Sequence, residues 1–170
     1  MAILNILKDE DETLRKTCRP VTEITPRIIR LLDDMKETLI EADGAGLAAP
    51  QVGVLRRIAI CDTQNGMVEL INPEIVSADG KQEELEGCLS VPGVWGITDR
   101  PKSVTVKALD RNGKEFTVSG EDLDARCFCH EIDHLDGVLF TDKAVHILTP
   151  EEVDEMMGDK RKKKTKKKDR

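Results

Sequence analysis

Apolar residues recur at helical spacing in the first third of the chain, just after Thr25 and Pro26. They lie three or four positions apart and therefore share one helix face: Ile28, Leu32, Met35 and Leu39. A threonine can cap the first turn through its side-chain oxygen, and proline suits the first helical positions. The pattern predicts an N-terminal helix that ends at Gly44. Residues 44–51 are predicted to follow as a loop, where glycines allow tight backbone paths.

Two pairs of β-branched or alternating segments predict antiparallel hairpins. Residues 57–62 and 67–71 flank Asn65-Gly66, a dipeptide that favours tight hairpin turns. A second pair flanks Asn112-Gly113, and its apolar positions alternate with polar ones: Val104, Val106 and Ala108 before the turn, Phe116 and Val118 after it. Both hairpins are predicted to be scaffold.

A second amphipathic segment, residues 121–135, predicts a helix that Gly137 ends. The stripe of this helix that is predicted to face the interior carries Leu123, Cys127, His130 and His134. Residues 149–152, Thr-Pro-Glu-Glu, form a capping-box sequence and predict a C-terminal helix. The predicted fold class is α+β, with antiparallel strands packed around the histidine-bearing helix and a further helix near each end of the chain.

Length and composition are those of a single globular domain. The chain has 170 residues, which is enough for a hydrophobic core without disulfides. Hydrophobic residues make up 39% and charged residues 35%, as in soluble proteins. The sequence has one Trp, three Phe and no Tyr. The core is therefore predicted to consist mainly of Ile, Leu and Val.

Several features predict a cytoplasmic protein. The first residues lack the basic region and cleavage site of a signal peptide. No segment approaches the roughly 18 apolar residues of a membrane span, so no membrane contact is expected. The five cysteines, an odd number, indicate free thiols in a reducing compartment. Cys18, Cys61 and Cys127 are predicted to be small buried hydrophobic residues.

Charge is distributed unevenly along the chain. Residues 160–170 carry nine Lys or Arg and one Asp, a local charge of +8, whereas the rest of the chain carries −15. An acidic body with a basic end is not the pattern of a domain that binds DNA specifically. The basic tail alone is a candidate for contact with a polyanion such as RNA, and a solvated end is the simpler alternative.

The strongest chemical pattern is H-E-x-x-H at residues 130–134. Residues four apart lie on one helix face, so the imidazoles of His130 and His134 can reach one metal ion. Glu131 follows the first histidine and can act as general base toward a water molecule at the metal. The pattern also occurs by chance on surface helices, so a third ligand is needed to support a metal site.

Candidates for the third ligand lie on both sides of this pattern. The third metzincin histidine is replaced by Phe140, which cannot bind metal. A thermolysin-like metallopeptidase would use a downstream glutamate, and the candidates open a separate acidic helix: Glu151, Glu152 and Glu155. Upstream, Cys88 lies in the strand-like Glu-Gly-Cys-Leu-Ser run at 86–90 and is the better candidate. An HExxH metallopeptidase stays open as the alternative enzyme class.

Three strings in a fixed order now stand out: Gly-Ala-Gly-Leu-Ala-Ala-Pro-Gln at 44–51, Glu-Gly-Cys-Leu-Ser at 86–90 and HExxH at 130–134. Together they resemble the three motifs of the peptide deformylase family, and the likeness extends from the N-terminal residues to about Phe140. The resemblance implies a metal-dependent hydrolase that removes the N-formyl group from the formyl-methionine of newly made polypeptides and releases formate. It implies a catalytic domain over residues 1–148, followed by a C-terminal helix and basic tail over 149–170.

The resemblance also implies roles for individual residues. The metal ligands would be Cys88, His130 and His134. Glu131 would be the general acid and base, and the oxyanion would be stabilised by the Gln51 side-chain amide and the Leu89 backbone N–H. The residues expected to contact the substrate are Gly44 and Gly46 along its main chain, and Leu47, Arg126 and Cys127 around its methionine side chain.

Metal identity and partners complete these expectations. Two imidazoles and one thiolate suit Zn²⁺, Ni²⁺ or Co²⁺ as well as Fe²⁺, and the resemblance favours Fe²⁺. The expected partners are N-formylmethionyl nascent peptides and, through the basic tail, the ribosome. The chain has Cys129 where many family members have glutamine, which removes any contact that the glutamine makes. A non-enzymatic binding module stabilised by a metal is a further hypothesis.

Overall fold

The computed structural model describes residues 2–158. Its helices are α1 (Pro26–Ala42), α2 (Leu123–Leu135), α3 (Phe140–Lys143) and α4 (150–158), and short 3-10 turns cover Glu12–Arg15 and Ala49–Val52. Its strands are β1 (Gly46–Ala48), β2 (Ile58–Thr63), β3 (Gly66–Asp79), β4 (Gln82–Cys88), β5 (Val91–Arg100), β6 (Ser103–Leu109), β7 (Glu115–Glu121) and β8 (Ala144–Ile147). The predicted α+β class, with antiparallel strands around a central helix, is confirmed.

The described strands form two antiparallel sheets, one with the order β1-β2-β3-β6-β7 and one with the order β4-β5-β8. Alternation along β2 shows how the larger sheet separates two cores. Ile58 and Ile60 pack in the core beneath α1, whereas Cys61 packs in the core shared with α2. Helix α2 therefore lies against one face of this sheet and α1 is on the other.

Helix α1 forms as predicted, but it ends differently. The Thr25 side chain caps its first turn and Pro26 is its first residue. Its last turn closes at Asp43, which takes the left-handed conformation at φ 54°, so Gly44 is not the terminating residue. A short polar side chain tolerates this conformation, and for that reason no glycine is required.

Residues 44–51 are not the loop that was predicted. They contain β1, which pairs with β2 through Gly46 with Cys61 and Ala48 with Ala59, and then a 3-10 turn. The strand is only three residues long and pairs with residues more than ten positions away. No local alternation could therefore indicate it.

Both predicted hairpins are present as β2–β3 and β6–β7. Strand β3 continues to Asp79, beyond the predicted end, because its second half pairs with β6. The three-stranded sheet was predicted only as one strand-like run at 86–90. Its sequence mixes glutamates with glycine and proline, and it therefore lacks a two-residue period.

Helix α4 begins with the predicted capping box. The Thr149 hydroxyl accepts a hydrogen bond from the Glu152 N–H at 3.2 Å, and the Thr149 N–H donates to the Glu152 carboxylate at 3.1 Å. The basic tail, 160–170, lies outside the described residues. Within 2–158, no helix is long and apolar enough to cross a membrane. The predicted burial of Cys18, Cys61 and Cys127 is confirmed.

Candidate active site

Two elements from different parts of the fold bring the candidate ligands together. Cys88 ends β4, and His130 and His134 lie one turn apart on α2. Their ligand atoms all lie within 4.8 Å of one another, and Cys88 Sγ is 3.4 Å from His134 Nε2. His134 is fully buried, which agrees with the predicted inward stripe. Leu123, predicted on the same stripe, is instead 57% exposed, because it begins the helix at the surface.

Charges around these three residues favour a cation between them. Burial lowers the pKa of His130, but hydrogen bonds with Cys88 and Glu86 and the Glu131 charge outweigh burial and raise it well above the ordinary value. Burial and the charge of His130 lower the pKa of His134. The carboxylates of Glu86 and Glu131 beside His130 thus make the surroundings favourable to a positive charge. A thiolate and two imidazoles are a donor set for Zn²⁺ or Fe²⁺, so the residues fit a metal.

A buried ion network fixes the orientation of His130. Arg100 donates to both carboxylate oxygens of Glu86 at 3.0 Å and to Asp133 at 2.6 Å. Glu86 lies 3.3 Å from Nδ1 of His130. Burial alone would raise the pKa of Glu86, but the hydrogen bonds with His130 and Arg100 outweigh it and lower the pKa to about 2. The carboxylate therefore stays ionised and accepts from Nδ1, which leaves Nε2 of His130 available as ligand.

Glu131 faces the same cleft and is 2% exposed. One of its oxygens lies 3.8 Å from His130 Nε2, and the other has no hydrogen-bond partner among residues 2–158. Burial raises the pKa of Glu131 to about 7. A carboxylate in this state can both take and return a proton near neutral pH.

Gly46 sets the distance between β1 and Glu131. A Cβ at Gly46 would lie 2.8 Å from Glu131 Cγ and 2.8 Å from Cys127 Sγ. Real Cβ contacts are not that short, so only glycine allows β1 to pass this close to α2.

The Gln51 side chain is held from both ends. Its oxygen accepts from the Ala48 N–H at 2.9 Å, and its Nε2 donates to the Ser90 hydroxyl at 3.0 Å. The same Nε2 lies 3.7 Å from Cys88 Sγ. These contacts direct the NH₂ group of Gln51 toward the three ligands. Leu89 follows Cys88 in the turn between β4 and β5 and lines the same cleft.

The site opens into a cleft of about 440 Å³. Four of the five predicted substrate contacts line it: Gly44, Gly46, Arg126 and Cys127. Leu47 does not, and this corrects the prediction. Successive side chains of a strand point to opposite faces; since Gly46 faces α2, Leu47 points to the other side and packs beneath α1.

Sequence reasoning missed other cleft residues, above all Trp95 and Leu123. Trp95 lies on β5 directly against Gly87, where an added Cβ would come within 2.5 Å of the indole ring. The indole therefore requires glycine at position 87. A glycine inside a strand is a signal of such close approach, and it could have indicated a large neighbour.

The comparisons with known proteins agree with this geometry. The sequence model of the family described as polypeptide deformylase matches residues 3–149. The chain belongs to the polypeptide deformylase family. A peptide deformylase of Thermoanaerobacter pseudethanolicus is 56% identical over 156 residues, which cover 92% of this chain and 98% of that protein. Removal of the N-formyl group from nascent polypeptides is the function of this family.

Solved deformylase structures share the fold. The crystal structure of a peptide deformylase from Thermotoga maritima superimposes with a TM-score of 0.81 at 39% identity and covers 84% of this chain and 97% of that one. A peptide deformylase structure from Legionella pneumophila has a TM-score of 0.80 at 44% identity, over 97% of this chain and 96% of that one. Family membership decides for a deformylase over the alternative of an HExxH metallopeptidase. The chain is a metal-dependent hydrolase of this family.

Proposed function

We propose that this chain removes the formyl group from N-formylmethionyl peptides with a metal held by Cys88, His130 and His134. The observation that carries the proposal is the convergence of these ligands within 4.8 Å. Two of them, Cys88 and His130, line a cleft together with Glu131 and Gln51. A divalent ion bound there supplies Lewis-acid chemistry, which lowers the pKa of water and polarises a carbonyl group.

The protein side chains then divide the remaining work. Glu131 removes a proton from the attacking water and later gives it to the amine that leaves. The water oxygen bonds to the formyl carbon, the C–N bond breaks, and formate and a free α-amine result. The Gln51 NH₂ group and the Leu89 N–H donate to the oxygen that becomes negatively charged. One such donor typically contributes about 2.7–4 kcal/mol.

The decisive test measures formate released from a formyl-Met dipeptide. The wild-type protein should release formate from this dipeptide, whereas Cys88→Ala should lose both its metal and its activity. Cys18→Ala is a matched control, because it removes a buried thiol outside the cleft. Full metal content and normal turnover in Cys88→Ala would refute the ligand assignment.

The substrate's main chain would run beside Gly44 and Gly46 and the turn after Cys88, and its methionine would contact Arg126 and Cys127. A hydrogen bond from Arg126 Nη1 to Gln82 Oε1 at 2.8 Å orients the guanidinium group and supports this role. The aliphatic part of Arg126 is then held beside Leu123 and Cys127 in the lining of the cleft. An apolar wall of this kind suits an unbranched thioether side chain.

Fe²⁺ is the proposed working ion. The donor set does not distinguish Fe²⁺ from Zn²⁺, Ni²⁺ or Co²⁺, so the proposal rests on the family resemblance. Purification in air should inactivate the iron form by oxidising Fe²⁺ and the Cys88 thiolate. Protein loaded with Ni²⁺ or Co²⁺ should stay active. The proposal would be contradicted if the iron form kept its activity in air and if replacing Fe²⁺ with Ni²⁺ or Co²⁺ did not increase activity.

The basic tail is proposed to hold the enzyme near the ribosome in the cytoplasm. The +8 charge of residues 160–170 would be attracted to RNA phosphates, with affinity that falls as salt rises. The other residues carry −15 and would be repelled by RNA. Every residue assigned a catalytic or binding role lies within 1–148, so truncation after Gly158 should leave turnover of a formyl-Met dipeptide unchanged. Because the truncation removes the basic tail, it should weaken co-sedimentation with ribosomes at low salt. Equal co-sedimentation of both forms across a salt titration would show that the tail is only a solvated end.

A further inference from the structure

The N-terminal residues 7–9 cross the two turns that carry the proposed oxyanion donors. The Leu7 N–H donates to the Gln51 carbonyl at 2.7 Å, and the Asp9 N–H donates to the Ser90 carbonyl at 2.8 Å. Between them, Lys8 Nζ donates to the Leu89 carbonyl at 3.4 Å. We call residues 7–9 the N-terminal strap.

Hydrogen bonds of this kind add to apolar packing in fixing the relative position of the two turns, since Leu89 and Val52 pack against the same cluster. Gln51 lies in a 3-10 turn after β1, and Leu89 and Ser90 lie in the turn between β4 and β5. These strands belong to different sheets, so no ladder of sheet hydrogen bonds joins the two turns. Gln51 Nε2 provides the direct polar link, because it donates to Ser90 Oγ at 3.0 Å and lies 3.7 Å from Cys88 Sγ at the end of β4. The strap adds a main-chain bond to each side of that link.

The strap is itself anchored beside the metal ligands. Leu7 packs in a buried cluster with Leu14, Val91 and Phe140. The Phe140 ring stacks on the His130 ring with centroids 6.0 Å apart. One apolar cluster thus supports both the strap and the histidine that is proposed to bind metal.

We infer that the N-terminal strap is a positioning element for the oxyanion donors. The inference rests on the proposed function, in which Gln51 and Leu89 donate to the developing oxyanion. Such donors must lie about 2.7–3.1 Å from the oxygen, and misplacement by about 1 Å can cost about 100-fold in rate. Loss of a strap bond moves one turn against the other, so it lowers kcat and leaves the ligands in place.

The substitution Asp9→Pro tests this inference. It removes the N–H that binds the Ser90 carbonyl. Asp9 is the second residue of a turn closed by the bond from the Asp11 N–H to the Lys8 carbonyl at 2.9 Å, and proline is favoured at that position of a β-turn. The matched control is Asp9→Ala, which keeps the N–H. We expect kcat for a formyl-Met dipeptide to fall by about 10- to 100-fold in Asp9→Pro, with KM, metal content and Tm close to those of Asp9→Ala.

A double-mutant cycle separates positioning from general destabilisation. The Asp9 N–H and the Gln51 side chain both bind Ser90, so if they position the same turn, the effects of Asp9→Pro and Gln51→Ala on kcat should be non-multiplicative. Multiplicative effects would overturn the inference, as would a normal kcat in Asp9→Pro. Normal kcat in Gln51→Ala would instead refute the donor role of Gln51 and thus the proposed chemistry. If Asp9→Pro does not fold, Lys8→Met provides a second test, because it removes the exposed hydrogen bond from Lys8 Nζ to the Leu89 carbonyl. We expect Lys8→Met to lower kcat several-fold at constant KM. An unchanged kcat would refute the inference.

Discussion

At the scale of single residues, the orientation of His130 depends on a chain of buried charges. Arg100 is 4% exposed and binds both Glu86 and Asp133, so it joins β4 and α2 at the level of the ligands. Lys143 continues the chain to the surface through Asp133 at 3.1 Å. Breaking a buried ion pair by removing one partner is costly because the other charge stays unpaired. The network therefore makes the ligand geometry depend on residues that never touch the metal.

Glu86→Gln should weaken metal binding. The neutral amide accepts less strongly from His130 Nδ1, and loss of such a partner typically lowers metal affinity by about 10- to 100-fold. Competition with a chelator measures the change. Glu84→Gln is the control, because Glu84 is exposed on the same strand. Equal affinity in the two variants would show that Glu86 does not orient the ligand.

Glu86 should also make the stability of the metal-free protein sensitive to acid. The pKa of Glu86 falls from 4.5 to about 2 on folding, because hydrogen bonds with His130 and Arg100 outweigh burial. Its stabilisation is therefore fully present above about pH 4.5 and is lost as the pH falls toward 2. Wild type should exceed Glu86→Gln by on the order of 3 kcal/mol in free energy of unfolding at pH 5 and above. Denaturant titrations should show this difference shrinking toward pH 2; a constant difference would exclude the linkage.

Glu131→Gln should separate metal binding from catalysis. The amide keeps the size of the side chain but cannot take a proton, so kcat should fall by about 10²–10⁴-fold. Metal content should equal that of wild type, since Glu131 is not among the proposed ligands. Near-normal kcat would show that another group is the base.

The sequence predicted only some of the residues that form and support the candidate site. Spacing alone placed His130, Glu131 and His134 on one helix turn, and the order of three motifs added Cys88. Arg100 could not be found in this way, because its partners lie 14 and 33 positions away and follow no local period. Buried charges that pair across sheets leave no periodic trace in a sequence.

At the scale of elements, the close approach of β1 to α2 sets the position of the base. Gly46→Ala would place a methyl group 2.8 Å from Glu131 Cγ. Either β1 or Glu131 must move, so we expect a loss of stability of about 1–3 kcal/mol and a fall in kcat. Gly158→Ala is the control, since a Cβ there meets nothing within 4 Å. Unchanged kcat and Tm in Gly46→Ala would mean that the interface can adjust freely.

Elements with a strong local period were the ones that the sequence predicted correctly. Helices α1 and α2 and both hairpins have apolar residues at regular spacing or clear turn dipeptides. The exceptions were β1, whose pairing partner is distant, and the β4-β5-β8 sheet, whose strands lack a two-residue period. Leu47 was misplaced for the same reason, because a residue cannot be assigned to a face before its strand is known.

At the scale of the whole molecule, the site exists only where the two sheets meet α2. Gln51 follows the edge strand of one sheet, Cys88 ends a strand of the other, and α2 contributes both histidines. Each part alone would carry an incomplete set of groups. The composition predicted one domain but could not show that its two sheets divide the site between them.

The position of Trp95 gives the enzyme an optical property. It is the single tryptophan of the sequence, and it lies in the wall of the cleft against Gly87. Indole fluorescence shifts to shorter wavelength when water is displaced, so the whole tryptophan emission of the chain reports on one surface. Titration of Glu131→Gln with a formyl-Met peptide should shift the emission to the blue with a saturable dependence on concentration. A peptide without the formyl group should require higher concentrations, and an emission that never responds would place the bound peptide away from β5.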